Sequence, residues 1–455
     1  MAGVSLALRR MLRSPFYGAQ ALGYVYAGVA MAGPWLLTSF FMVAVTWMDW
    51  GGRGEVERSI FQAIVLYGYG GSMILTGLFQ LVVARHVSDE LYLGRTGSVV
   101  PCAAGAAAVS LVLHLGAAAV FAALTRPPLL LAAAEAAFFG SVGQVWNAMI
   151  FLGTIRDYGT IVAAFAGGVG AGLGAAWGLA APLGVPGLLF AFAIGHAVTA
   201  ALLGARLRAE FPSSDGARFA FARTFMRYPM LMLIGVAYAG GVWVDKLILW
   251  AGPTAVRLPL GLTAFPLYDN AVFLAYLTIV PALALVFVRI EVSFHGAYRK
   301  FFGAIRHGAD LDAIRGAHAR IRGSLERGVR QVALLQGVLT GLVILVAPRL
   351  LEALRLDRVQ YYVFRAACLG AYLQALVLAL LLAGLHLALY RPALGMTLAY
   401  FVASALGTAA TALLGLPYYG YGTVAAGLAA LAVGYPWILR RVRDLDYRTF
   451  MLQPA

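Results

Sequence analysis

The chain has 455 residues, of which 62% are hydrophobic and only 12% charged. Soluble domains carry about a quarter charged residues, so this composition excludes an ordinary soluble enzyme or binding module. The net charge is +15, yet the basic residues lie in separate short segments, which argues against a nucleic-acid surface. Apolar runs of about 20 residues recur along the whole length, each able to cross a bilayer core of roughly 30 Å. The predicted class is an all-α polytopic membrane protein.

Residues 1–21 form a cytoplasmic amphipathic N-terminus. Within it, Val4, Leu8, Met11 and Leu12 oppose Arg9, Arg10 and Arg13, which suits a helix lying in the membrane interface. The first apolar segment lacks a small-residue cleavage site and is too long for a signal-peptide core, so it should stay as a membrane helix. An N-terminal six-helix bundle, 22–206, follows, with spans near 22–47, 60–85, 99–124, 129–153, 159–180 and 185–206. The glycines of segment 166–174 suit close helix packing. A polar, Pro- and Gly-containing cytoplasmic linker, 207–225, joins the halves.

The C-terminal six-helix bundle, 226–439, has spans near 226–251, 268–290, 330–354, 361–388, 393–415 and 417–439. Its cytoplasmic helical loop, 291–329, repeats Leu311, Ile314, Ile321, Leu325 and Val329 at helical spacing among charged residues. That pattern can run straight into the next span as one long helix. It would then either dock a soluble partner or pack on the chain's own loops. A cytoplasmic tail, 440–455, ends the chain.

Placing both termini in the cytoplasm puts about 25 Lys and Arg inside and about 8 outside, with Lys246 in a span. Six spans per half make the halves run in the same sense, as parallel repeats do in rocking-bundle transporters. Catalytic signatures are missing. There is no Walker-type glycine loop, and the seven histidines lack zinc-type spacing. Cys102 and Cys368 lie in apolar spans, giving no disulfide framework. No enzyme activity, metal or cofactor is expected. His114 and His196 fall within spans, where they would relay protons or simply tie helices together.

The most informative segment is Trp243-Val-Asp-Lys-Leu-Ile-Leu-Trp250, an acid and a base inside an apolar run. A charge at the centre of a membrane helix costs roughly 2.5–3.5 kcal/mol. Helical neighbours point about 100° apart, so Asp245 and Lys246 are not expected to neutralise each other. Each should need a partner on another helix, or water. Counting about 1.5 Å per residue places Lys246, Asp269, Glu135 and Arg365 in the outer part of their spans. With Asp245 they suggest a hydrated vestibule on the outer side. Alternatively, Asp269 and Arg365 only reach for the interface.

At residue level the chain resembles the PelG family of Pel exopolysaccharide transporters, within the superfamily of multidrug and oligosaccharidyl-lipid exporters. The similar blocks are Met1 to Arg10, Tyr24 to Gly28, Gly33 to Trp35, and Trp243 to Trp250. Pro266 to Asp269, Phe273 to Thr278, Pro281-Ala282, Glu291, Phe294 and Tyr298 complete them. Ala7 and Val292 depart from the family pattern.

The resemblance implies a MATE/Wzx-like fold of about 12 transmembrane helices in two six-helix bundles. It also implies translocation of a polymer rich in N-acetylgalactosamine and galactosamine across the bacterial inner membrane. Implied partners are a cytoplasmic PelF-like glycosyltransferase and PelD/PelE-like membrane subunits that include a cyclic-di-GMP receptor. On this reading Trp243, Tyr268 and Tyr276 offer stacking surfaces, while Asp245, Asp269 and Glu135 bind hydroxyl, acetamido or amino groups. Lys246 pairs with one acid, and Arg365 completes the substrate path. Glu291, Phe294, Tyr298, Arg315 and Arg322 are the expected partner-docking residues. The competing readings are a lipid-linked oligosaccharide flippase, which should show basic residues at mid-depth, and a cation-coupled multidrug antiporter, which would use Glu135.

Overall fold

A computed structural model describes residues 16–48, 54–155, 158–211, 215–289, 294–354 and 356–451. The first half contains α1 (Tyr17–Thr46), α2 (Glu55–Gly77), α3 (Gln80–Tyr92), α4 (Val99–Thr125), α5 (Leu129–Ile155), α6 (Tyr158–Leu183) and α7 (Val185–Glu210). A short α8 (Ala222–Arg227) leads into α9 (Pro229–Trp250) and a two-stranded hairpin, β1 (Val256–Arg257) and β2 (Thr263–Ala264). Then come α10 (Pro266–Leu277), α11 (Val280–Val288), α12 (His295–Arg306) and α13 (Leu311–Ala353). The chain closes with α14 (Gln360–His386), α15 (Tyr390–Leu414), α16 (Tyr421–Arg443) and α17 (Leu445–Met451).

Eleven segments among the described residues are long and apolar enough to cross a membrane. The 30-residue α1 takes the place of the first expected span. Two expected spans are broken helices. Between α10 and α11, Pro281 lacks an N–H and breaks the ladder. At the break Gln336 Nε2 of α13 donates to the Thr278 carbonyl at 2.9 Å, so a backbone acceptor freed there is met from another helix.

Packing follows the sequence halves. α2 and α4 to α7 build a core around Phe61, Phe138, Leu188 and Phe192. A second core joins α9, α13, α14, α15 and α16 around Ile234, Ile321, Leu380, Tyr400 and Ile438. Between halves, α2 and α9 meet backbone to backbone: a Cβ added at Gly77 would stand 2.9 Å from the Gly235 carbonyl oxygen. α1 lies on α11 through Ala27, Ala284, Phe287 and Val288.

The helical loop is one long helix with the following span, because nothing interrupts the 43 residues of α13. Its apolar stripe is spent internally. Ile314, Ala317, Ile321 and Leu325 pack with Phe294, Phe301 and Val442. The amphipathic segment 3–13 lies outside the described residues.

Candidate substrate site at the seam between the halves

The Asp-Lys pair sits one turn from the end of α9 nearest the hairpin. Asp245 is 1% exposed. Tyr268 of α10 donates its hydroxyl to Asp245 Oδ2 at 2.6 Å, the cross-helix partner that the buried carboxylate needs. Lys246 departs from expectation. Its ammonium curls back to both Asp245 oxygens at 3.4 Å. A flexible four-carbon stem allows this despite the angle between neighbouring Cβ atoms. The same ammonium lies 5.2 Å from the Trp243 ring centre and 5.9 Å from that of Tyr276, so aromatic faces share its charge.

The rings are held in turn. Trp243 donates its indole N–H to Met73 Sδ of α2 at 3.3 Å and lies against Gly70, where a Cβ would come within 2.6 Å of its ring. The first half therefore touches the site directly. Tyr276 donates to Gln374 Oε1 at 2.5 Å, Tyr400 to the same oxygen at 3.3 Å, and Gln374 Nε2 to Tyr238 at 3.4 Å. Three tyrosines converge on one buried amide.

Asp269 belongs to the same assembly. Trp250 donates its indole N–H to Asp269 Oδ2 at 3.0 Å, and the Phe265 N–H reaches that oxygen at 3.3 Å. Asp269 Oδ1 is buried without a partner. Tyr67 of α2 stands edge-on to Trp250 at 4.7 Å and donates its hydroxyl to the Thr263 carbonyl of the hairpin at 2.6 Å. Leu262 is buried in the first half's core, with Leu258 and Leu260 packed against it. The hairpin thus straps one half to the other above the site.

Of the expected path residues, Trp243, Asp245, Lys246, Tyr268, Asp269 and Tyr276 are brought together. Glu135 and Arg365 make none of these contacts. Glu135 is 1% exposed on α5, and its Oε2 has no hydrogen-bond partner. Arg365 points to Tyr421 at 3.4 Å and lies 5.8 Å from the Tyr361 ring. The expected hydrated vestibule is not what surrounds Asp245: it is buried, with Tyr268 and Lys246 as its partners, while the Trp250 indole and the Phe265 N–H bond the half-buried Asp269. Gln374, Tyr400, Tyr238, Met73 and Tyr67 had not been singled out. A glutamine midway along an apolar span was the readable signal for the first of them.

The histidines tie helices together. His114 bonds Ser72 Oγ at 2.8 Å and the Ser110 carbonyl at 2.7 Å. His196 bonds Tyr69 at 2.8 Å and the Phe192 carbonyl at 2.7 Å. Both therefore grip α2, the helix that carries Gly70 and Met73.

Among the expected docking residues, Phe294 is 2% exposed and closed to any partner, because it fills the core under α12. Tyr298 packs on Phe302 at 4.5 Å between ring centres. Arg315 is exposed, and Arg322 pairs with Glu326 at 2.9 Å. Glu291 lies outside the described residues.

Over residues 1–450 the sequence matches the family described as PelG, exopolysaccharide exporter (EPS-E). The chain belongs to the PelG family. No curated protein matches it in sequence. Solved structures match the PelG-family fold over nearly the whole chain. An outward-facing multidrug resistance MATE family transporter of the MOP superfamily is 14% identical, covering 97% of this chain and 99% of that one at TM-score 0.67. A MOP superfamily transporter from Pyrococcus furiosus, described for the reverse polarity of its binding pocket, is also 14% identical. It covers 93% of this chain and 96% of that one at TM-score 0.66. An inward-facing MATE family transporter is 13% identical, with 97% and 99% covered and a TM-score of 0.53. The fold is that of MATE transporters, and the family is one described as an exopolysaccharide exporter.

Proposed function

We propose that this chain passes a Pel-like polymer, rich in N-acetylgalactosamine and galactosamine, across the bacterial inner membrane. In this reading both termini are cytoplasmic. A PelF-like glycosyltransferase feeds the polymer from that side, within a complex that includes PelD/PelE-like membrane subunits. The observation that carries the reading is the aromatic and ionic assembly at the seam: Trp243, Tyr276, Asp245, Lys246 and the half-satisfied Asp269. Indole and phenol faces suit pyranose rings, and buried carboxylates suit amino and hydroxyl groups. A substrate ammonium can replace that of Lys246 at Asp245 without leaving the acid unpaired.

Deleting the gene tests this, with polymer measured separately outside the cells and in the cytoplasm. The expected result is loss of amino-sugar polymer outside while synthesis continues or backs up inside. An unchanged outer pool would sink the reading.

One observation favours a second reading. Glu135 is a buried carboxyl in the first half with an unpartnered oxygen, as a cation-coupled multidrug antiporter would use. Drug sensitivity of the same deletion strain separates the two readings. For a lipid-linked oligosaccharide flippase the seam offers only Lys246, already paired with Asp245.

A further inference from the structure

Where α11 ends, a small cleft opens between Arg289 and the face of α13 formed by Ser324, Leu325, Gly328 and Val332. Two polar atoms there are buried without a hydrogen-bond partner, Arg289 Nε and Ser324 Oγ. Arg85, Arg206 and Arg322 each take a carboxylate one helical turn away, at 3.0, 3.0 and 2.9 Å. Arg289 pairs with no carboxylate among the described residues.

Its position is equally specific. The span formed by α10 and α11 is apolar through Val288, so Arg289 is the first residue beyond it. The cleft walls are apolar on the membrane side, at Val286 and Val332, and donor-bearing on the other. Exposed Arg327 and Arg330 lie on the same stretch of α13 and add positive field. A buried guanidinium edge and a hydroxyl, both wanting acceptors, match a phosphate oxygen pair.

We propose that this cleft binds a phosphate ester at the membrane surface, and that an anionic phospholipid headgroup is its source. Arg289 donates from Nε and a terminal nitrogen, and Ser324 donates its hydroxyl. The bound lipid bridges α11 and α13, so it fixes the broken span against the long helix.

The test uses the full chain in nanodiscs of equal phosphatidylglycerol and phosphatidylcholine, released into a native mass spectrometer. Wild type should retain one phosphatidylglycerol. Arg289→Gln should lower that retention about tenfold, the equivalent of one charged hydrogen bond, while the exposed Arg315→Gln leaves it unchanged. Gly328→Val keeps the charge but fills the cleft, since a Cβ there would stand 3.8 Å from the Arg289 Cβ. It should lower retention as well, and it keeps the test valid if the arginine variant fails to fold. A third arm adds inorganic phosphate at millimolar concentration. No displacement supports the lipid as source, whereas full displacement by phosphate alone would overturn that source in favour of free phosphate. Wild-type retention in both Arg289→Gln and Gly328→Val would overturn the site itself.

Discussion

At the scale of single residues, the buried pair on α9 makes a sharp expectation. Removing one member of a buried ion pair costs about 3–5 kcal/mol, because the other charge is left uncompensated. Here Asp245 keeps Tyr268, and Lys246 keeps two aromatic faces, so each single change should fall at the low end of that range. Asp245→Asn and Lys246→Met should each lower the melting temperature of the purified protein. The double variant should be less destabilised than the sum of the two, since both charges leave together. Export behaves differently. All three variants should cut extracellular polymer by about tenfold or more at equal protein level in the membrane, a loss of about 1.4 kcal/mol in effective binding. Recovery of export in the double variant would assign the pair to packing alone. Tyr268→Phe isolates the third member: losing a hydrogen bond to a charged group costs about 1.5–3 kcal/mol, and denaturation should show it. The sequence exposed Asp245 and Lys246 because charge in an apolar run is conspicuous. It concealed their mutual contact, since side-chain curling is set by the surrounding rings and not by helical geometry.

At the scale of elements, the hairpin is the part with the clearest mechanical role. It belongs in sequence to the second half but buries Leu262 in the first, and Tyr67 holds it through the Thr263 carbonyl. A transporter must release such a strap to open on that side. Tyr67→Phe with Leu262→Ser should loosen it, removing one hydrogen bond and one buried apolar side chain worth about 1.5–3 kcal/mol. The measurement is labelling of a cysteine at Met73, beside Trp243, by a membrane-impermeant maleimide added outside the cell. Cys102 and Cys368 are both buried and free, so background should be low. Labelling should be slow with the strap intact and several-fold faster when it is loosened. Equal rates would remove the hairpin from any gating role. The spans and the long α13 were legible from hydropathy and helical spacing. The hairpin was not, because Val256–Arg257 and Thr263–Ala264 are too short to show alternation. The docking assignment of Phe294 failed for a related reason: an apolar stripe looks the same whether it awaits a partner or is already covered.

At the scale of the whole molecule, charge and seam point to one orientation and one direction of movement. The exposed arginines in the first half of α13, Arg315, Arg320, Arg322, Arg327 and Arg330, and the basic end of α16, Arg440, Arg441 and Arg443, lie at the end opposite the hairpin. In the proposed topology this positive excess stays on the cytoplasmic side, because basic loops resist translocation. The hairpin end should therefore face outward and the end carrying α12, α17 and the base of α13 should face the cytoplasm. Single cysteines at Arg257 and Arg315 check this directly. The first should react with an impermeant thiol reagent in intact cells after permeation of the outer membrane, and the second only after the inner membrane is opened. In that proposed orientation Asp245, Lys246 and Asp269 would lie below the outer strap, and the close α2–α9 contact at Gly77 and Gly235 would be the closure towards the cytoplasm. At Gly77 and Gly235 the two backbones meet with no side chain between them, a contact that can part and re-form. Gly235→Leu should wedge it open. Export should then fail while the variant still reaches the membrane, and a cysteine at Met73 should become reachable from the cytoplasmic side in inverted vesicles. If that cysteine stays protected, the seam is not the inner closure.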